Sequence, residues 1–306
     1  MSSLLVHIGY HKTGTAWLQQ EIFGGGAVFQ RPWPRRTISR LFVTVRDLEF
    51  CARATAVSLA QQRERPSRSG AIDVLSHERL SGNPHSGGYD SRVIADRLYL
   101  TLPQARVLIV IRRQAEMILS SYKQYVRIGG TRSLRGYVDA PGRGATRIPQ
   151  FSLAHFEYDR LISYYHQSFG PAATLVLPYE LLASDPYAFV SRIAIFAGVD
   201  PPVDVPTSRR NVSLSAVGVA IKRPLNFLFA RDTVNPSAPF DSPKLARGLR
   251  RAVERVDRAL PTQLRAWSGR RLLAEVNAVT AGRFVESNHR TAELTGLDLA
   301  AFGYEL

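Results

Sequence analysis

The chain has 306 residues, 45% of them apolar, enough to build a full core without disulfide or metal staples. Lys and Arg total 40 against 25 Asp and Glu, a formal charge of +15; such a surface gathers anions, so a nucleotide, an acidic glycan, anionic lipid or nucleic acid is the fitting class of partner, with a merely solvated basic surface as the bland alternative. A lone cysteine, Cys51, excludes an intramolecular disulfide and a cysteine-ligated zinc or iron–sulfur site.

From the start, Met1 to Ile8 lacks a basic segment followed by a long apolar run, so no signal peptide is expected. No apolar stretch approaches the roughly 20 residues of a bilayer span. A soluble, cytoplasmic protein is the expectation. Leu4 to Ile8 reads as a buried strand and Thr15 to Phe23 as a helix stopped by Gly24–Gly26. Residues 24–40 read as a Gly-, Pro- and Arg-rich loop and 47–63 as helix. Ala71 to Ser76 is a second strand, and Ser91 to Leu102 a helix ending before Pro103. Val107 to Ile111 is five consecutive apolar β-formers, the pattern of a strand buried on both faces. The next helix, about Gln114 to Ile128, has Ala115, Ile118, Leu119, Tyr122 and Val126 as its apolar stripe. A basic loop (129–150), helix 157–169 and strand Thr174 to Leu177 follow, with helices near 186–197, 215–230, 244–259 and 263–280. Strands alternating with helices predict an α/β fold, a parallel sheet covered on both faces, and one domain over residues 1–306.

Between the first strand and first helix lies Gly9-Tyr10-His11-Lys12-Thr13-Gly14-Thr15-Ala16-Trp17. Free N–H groups and the positive end of a helix converge at such a turn, which makes it a phosphate site. Gly14 allows close backbone approach, Thr13 and Thr15 add hydroxyls, and Lys12 adds a mobile cation. Gly9 and Gly14 have the glycine spacing of the nucleoside-triphosphate P-loop, but Thr15 follows Gly14 where that loop needs lysine. Lys12 to Leu18 instead resembles the 5′-phosphosulfate loop of the sulfotransferases that use 3′-phosphoadenosine 5′-phosphosulfate (PAPS), departing from it at Ala16, where the family often has a second hydroxyl. The resemblance makes Lys12, Thr13, Gly14, Thr15, Ala16 and Trp17 cofactor-binding positions, with Lys12 also neutralising the leaving oxygen.

A second element of the same family is similar to Arg112 at the end of the third strand with Ser120 eight residues on, which the resemblance assigns to the 3′-phosphate. Arginine grips phosphate bidentately and serine adds one hydrogen bond. Helical spacing sets Ser120 clear of the apolar stripe, whereas Ser121 lies nearer to it. Arg209 and Arg210, in a Pro-rich loop, match the late basic loop that closes over the nucleotide in the family.

An acceptor must lose a proton as it attacks sulfur, so a base belongs within hydrogen-bond reach. The second strand ends in Ser76-His77-Glu78-Arg79, at the edge where open α/β sheets place their sites. In the glycan-modifying branch a glutamate here is the base, which favours Glu78; His77 is the rival, since other branches use histidine. A purely structural ion pair with Arg79 or another arginine is the alternative for Glu78. No histidine shows metal-ligand spacing, and no metal is expected.

Tyr179-Glu180-Leu181, Asp185-Pro186, Phe196-Ala197-Gly198-Val199 and the ending Gly296-Leu297-Asp298-Leu299 with Gly303-Tyr304 extend the resemblance. It implies a P-loop-like domain with about five parallel strands, and sulfuryl transfer from PAPS to a hydroxyl or amine acceptor, a carbohydrate, lipid or small molecule. Peripheral membrane contact is compatible with this reading. Two competitors stand: a nucleotide-dependent kinase, disfavoured by Arg112 and Arg113 where a Mg²⁺-binding acid belongs, and a non-enzymatic nucleic-acid or anionic-lipid binder.

Overall fold

Leu4–His7 forms β1, and the chain turns through the Gly9–Gly14 loop into α1 (Thr15–Trp17), which widens into a π-helical turn over Leu18–Ile22. The computed structural model describes residues 4–24, 28–64, 66, 68–139, 149–206, 214–229, 239–240 and 242–306. Then come β2 (Phe29–Gln30), α2 (Arg35–Ile38), α3 (Ala52–Gln61), β3 (Ile72–Ser76), α4 (Ser91–Thr101) and β4 (Arg106–Ile111). Beyond these lie α5 (Gln114–Arg127), α6 (Leu134–Val138), α7 (Tyr158–Phe169), β5 (Thr174–Pro178), α8 (Tyr179–Ser184) and α9 (Pro186–Ala197). The chain ends with α10 (Ala216–Leu228), α11 (Pro243–Ala259), α12 (Thr262–Thr280) and α13 (Val285–Thr295).

The fold is α/β, as predicted, with a five-stranded, all-parallel sheet in the order β2-β3-β1-β4-β5. Val107 to Ile111 are fully buried, since helices cover both faces of this strand. Strand side chains alternate between faces: Leu5, Val74, Leu108, Val110 and Leu177 join one core with Trp17, Leu18 and the apolar faces of α8 and α9, while α7 packs against β4 and β5. β1 pairs with β3 on one side and β4 on the other, so the connections leave it in opposite directions. At such a switch point open α/β sheets bind ligands outside the carboxyl ends of their strands.

The chain forms two compact units. One comprises Met1–Arg113, Ala154–Arg210 and Phe284–Leu306 and holds the whole sheet; the other comprises Gln114–Leu153 and Asn211–Arg283 and is helical.

Several local expectations are corrected. Residues 24–40 contain the edge strand β2 and the helix α2. Long-range contacts hold β2: the Phe29 ring stands edge-on to Phe23 at 5.5 Å and Gln30 Nε2 donates to Asp73 Oδ1 at 2.7 Å. The basic loop 129–150 contains α6, capped by Ser133 Oγ accepting from Gly136 N at 3.1 Å and anchored by buried Leu134 and Tyr137. The stripe of α5 is wider than its apolar spacing suggests: Met117, Ser121 and Tyr125 are buried with Ile118, Leu119, Tyr122 and Val126, while Ala115 is half-buried. One helix, α13, lies where none was expected.

Candidate active site

The β1–α1 loop curls through two left-handed residues, Lys12 (φ 66°) and Gly14 (φ 79°). Lys12 is the one non-glycine residue with positive φ among those described. Such a backbone costs an L-residue about 1–2 kcal/mol, strain that folds keep mainly at functional turns. Thr13 Oγ1 donates to Tyr10 O at 2.5 Å and Leu18 N–H to Gly14 O at 3.0 Å, fixing both ends of the curl. At Gly14 a Cβ would come within 2.6 Å of Leu182 Cδ2, so glycine lets α8 close over the loop. At Gly9 a Cβ would lie 2.5 Å from His7 Nε2, 3.1 Å from Thr13 Oγ1 and 3.2 Å from Thr15 Oγ1. Three polar atoms thus converge on one point beneath the loop, and two of them, His7 Nε2 and Thr15 Oγ1, are buried without a hydrogen-bond partner. Ala16 is exposed on the first turn, and Trp17 belongs to the core.

His7 interrupts an otherwise apolar strand, and its cross-strand partner explains why. Gln19 Nε2 donates to Ser76 O at 3.1 Å and Ser76 Oγ at 3.0 Å, so the Ser76 hydroxyl proton is available for His7 Nδ1, 2.8 Å away. That arrangement leaves the ring proton on Nε2, facing the loop. Burial, assisted by Arg31, pushes His7 down to about 3, so it is a neutral donor at physiological pH.

At the end of β4, Arg112 Nη1 donates to Lys12 O at 3.0 Å, and its guanidinium lies 4.7 Å from the ring centre of Tyr179. The backbone beneath is held firmly. Tyr158 OH donates to Arg112 O at 2.6 Å, Arg113 N–H to Glu180 Oε1 at 3.1 Å, and Tyr304 OH to Glu180 Oε2 at 3.1 Å. Ser120 is half-buried on α5, in the other unit; Ser121 is buried with its hydroxyl unsatisfied. Arg209 and Arg210 lie outside the described residues.

The loop after β3 is built from charge pairs. Glu78 Oε1 pairs with Arg35 of α2, and Arg79 pairs with Asp90 at 2.7 Å. Glu78 Oε2 is buried and accepts no hydrogen bond; His77 Nδ1 is 3.8 Å from it. His77 Nδ1 accepts from Arg79 N–H at 3.0 Å, and burial, with Arg35 and Arg79 adding to it and Glu78 opposing, lowers the ring to about 4. His11 is pushed well below the usual imidazole range by burial and by Arg79, His155, His85 and Lys12. The same two cations, Arg79 and Lys12, act with burial to hold His85 at about 4. The β3 loop therefore shares its electrostatic field with the β1 loop.

Residues 92–203 match the model of the sulfotransferase family. Over that stretch the chain is similar to the family. A sulfotransferase from Alicyclobacillus acidocaldarius overlays with a TM-score of 0.52 at 18% identity, over 74% of this chain and 92% of its own; at this identity the likeness is one of fold. The sulfotransferase domain of the Synechococcus PCC 7002 olefin synthase gives 0.40 at 14% identity, covering 66% of this chain and 74% of that one. A mouse sulfotransferase complexed with PAP gives 0.39 at 14% identity, covering 88% of each chain. These two scores add nothing to the likeness of fold. No curated protein matches the chain.

The sulfotransferase match includes Arg112 and Ser120, while the β1 loop and Glu78 fall outside it. Those two regions rest on their own geometry. The β1 loop suits an anion: strained backbone, two unsatisfied donors, a glycine whose missing side chain leaves room, and two cations at its rim. Sequence reasoning missed His7, Arg35 and the Tyr158–Tyr179–Glu180–Tyr304 support. The one local signal was a histidine inside an apolar strand.

Proposed function

We propose that the chain, acting as one cytoplasmic sulfotransferase domain over residues 1–306, moves a sulfuryl group from PAPS to a hydroxyl or amine acceptor. The observation that carries this reading is the 3.0 Å bond from Arg112 to the Lys12 carbonyl. It ties two cationic strand-end loops together, as one nucleotide with phosphates at both ends requires. PAPS, when bound, supplies an activated sulfuryl group. Lys12, Thr15, His7 Nε2–H and the N–H groups of the curl hold the 5′ end, and Arg112, stacked on Tyr179, grips the 3′-phosphate. Ser120, Arg209 and Arg210 take the roles that the family resemblance gives them.

Glu78 is the base in this proposal and His77 is not. The His77 Nδ1 lone pair already accepts a backbone N–H, so its Nε2 carries the proton and has none to take. Glu78 keeps one carboxylate oxygen without a partner while Arg35 orients the other. The acceptor proton passes to Oε2, and Lys12 balances the charge that grows on the departing phosphate oxygen. The acceptor itself is a carbohydrate, lipid or small molecule.

Thermal unfolding tests the reading. A ligand at 100 times its Kd adds about 2.7 kcal/mol, so PAP should raise the melting temperature clearly, and ATP with Mg²⁺ or a short RNA should not. Stabilisation by ATP–Mg²⁺ and none by PAP would assign the strand-end site to a kinase.

A further inference from the structure

The helical unit carries a surface that the strand-end chemistry does not use. Helix α10 is amphipathic in the reverse sense. Its buried side holds Lys222 and Asn226: Lys222 Nζ donates to Asn226 Oδ1 at 2.8 Å, and Asn226 Nδ2 donates to the carbonyls of Val126 and Gly130, each at 2.8 Å. Its outer side is Ala220, Ile221, Pro224, Phe227 and Leu228, all exposed. The spacing i, i+1, i+4, i+7, i+8 places these five on one face of about 120° with no charge among them. Phe227 is 57% exposed and Leu228 46%. Soluble helices bury such a stripe; a contiguous apolar patch left in water marks an interaction site.

The patch continues beyond the helix. Phe240 N–H donates to Leu228 O at 3.2 Å, and the Phe240 ring, itself exposed, stacks on Phe229 at 5.6 Å. Two residues later Ser242 opens α11. On that helix Lys244, Arg247, Arg251, Arg255 and Arg258 are all exposed, and their spacing of i, i+3, i+7, i+11, i+14 makes one basic stripe opposite buried Val253 and Asp257. Of the acids on this helix, Asp257 is buried away from the stripe, while Glu254 borders it and pairs with Arg258 at 3.9 Å. Asp257 accepts from Ser215 N at 3.0 Å, and Glu254 accepts from Arg127 at 2.8 Å. Exposed Leu245 and Val256 flank the stripe.

We propose that this face docks on an anionic lipid bilayer. Phe227, Leu228 and Phe240 enter the boundary between headgroups and acyl chains, and the α11 stripe meets lipid phosphates. Helices α10 and α11 pack against each other, so the uncharged apolar face and the row of cations belong to one helix pair, and that combination fits a surface that offers hydrocarbon and negative charge together. RNA offers the charge and bases for stacking but no hydrocarbon phase. A second copy of a chain carrying +15 would cover the apolar face while bringing like charges together. No described helix is long and apolar enough to cross a membrane, so the contact is peripheral.

The test is sedimentation of the full chain with vesicles of phosphatidylcholine alone or mixed with phosphatidylglycerol, at low and high salt. Binding at least about tenfold tighter to the anionic vesicles is expected, weakening with salt. The pair Phe227→Ser with Leu228→Ser, and separately Arg251→Glu with Arg255→Glu, should each lower it about tenfold or more. All four sites are exposed, and an unchanged PAP-induced melting shift certifies the fold; Ile221→Ser serves if the first pair misfolds. Equal binding to both vesicle types, or binding indifferent to the apolar substitutions, overturns the proposal. So does a dimer in sedimentation velocity that the apolar pair dissociates, which would give the face to a second copy. Competition by short RNA with no effect of the apolar pair would give it to nucleic acid. None of these outcomes touches the sulfotransferase reading, which stands or falls on PAP.

Discussion

The loops after β1 and β3 lie on adjacent strands, yet they handle polarity differently. The first leaves polar atoms unsatisfied: His7 Nε2 and Thr15 Oγ1 are buried without partners beneath a strained backbone turn. The second pairs its charges, Glu78 with Arg35 of α2 and Arg79 with Asp90, while Glu78 Oε2 and Arg79 Nη1 stay buried without a hydrogen-bond partner. An unsatisfied buried donor costs about 1–3 kcal/mol, a cost that an incoming anion removes. A paired carboxylate with one unsatisfied oxygen is suited to accept a proton. In the proposed mechanism the contrast separates binding from proton transfer, and substitutions in the two loops should fail in different ways.

The sharpest break is expected at Glu78. Glu78→Gln keeps the shape and the hydrogen-bonding atoms but removes the base, so turnover should fall about 10²- to 10⁴-fold while PAP stabilises the variant as it does the parent. Near-normal turnover would remove Glu78 from the mechanism. Lys12→Ala should lower turnover about 10²- to 10³-fold through the leaving oxygen. Next comes Arg112→Ala, which deletes a charge-assisted contact worth about 1.5–3 kcal/mol, or roughly 10- to 150-fold in PAP affinity. An unchanged PAP affinity would show that the 3′-phosphate lies elsewhere.

Protons probe the second loop differently. His77 and His85 are held near 4 in the folded chain, chiefly by burial, against about 6.5 when unfolded. Between those values the unfolded state binds more protons, so each ring withdraws about 1.4 kcal/mol of stability per unit as pH falls from about 6.5 to about 4. Below that window these two rings are protonated in both states and their contribution ends. Urea unfolding across this range should show the slope, and His77→Gln should flatten it by one residue's share. A flat profile in the parent would mean that these rings are not buried as neutral groups.

The first loop was legible because its demands are local. A left-handed glycine, neighbouring hydroxyls and a lysine at fixed offsets are written in seven consecutive residues. Glu78 was singled out by its position at a strand end, and its role stays a proposal. Its partner was not singled out, because Arg35 lies 43 residues away in a segment that reads as loop. The support under Arg112 is still less local: Glu180 reaches the Arg113 amide across 67 residues and Tyr304 across 124. Tyr179-Glu180 and Gly303-Tyr304 carried the family resemblance without revealing that they meet. On α10 the buried side is set by tertiary bonds from Asn226 to residues 126 and 130, which no local spacing shows.

The smallest predicted effect is also the most discriminating, because it adds function. Ala16 is exposed on the first turn of α1 and stands where the family often has a hydroxyl. With His7 Nε2–H as an extra donor beneath the loop, the chain has a substitute for the missing contact. Ala16→Thr should therefore tighten PAP binding only modestly, about two- to tenfold, the range of one net hydrogen bond of 0.5–1.5 kcal/mol, with turnover at saturation unchanged. Replacing His7 by Phe should weaken PAP binding and enlarge the gain from Ala16→Thr, since the two donors then compensate for each other. If the two substitutions act independently in such a double-mutant cycle, His7 serves the strand alone and the loop's second donor must be sought elsewhere.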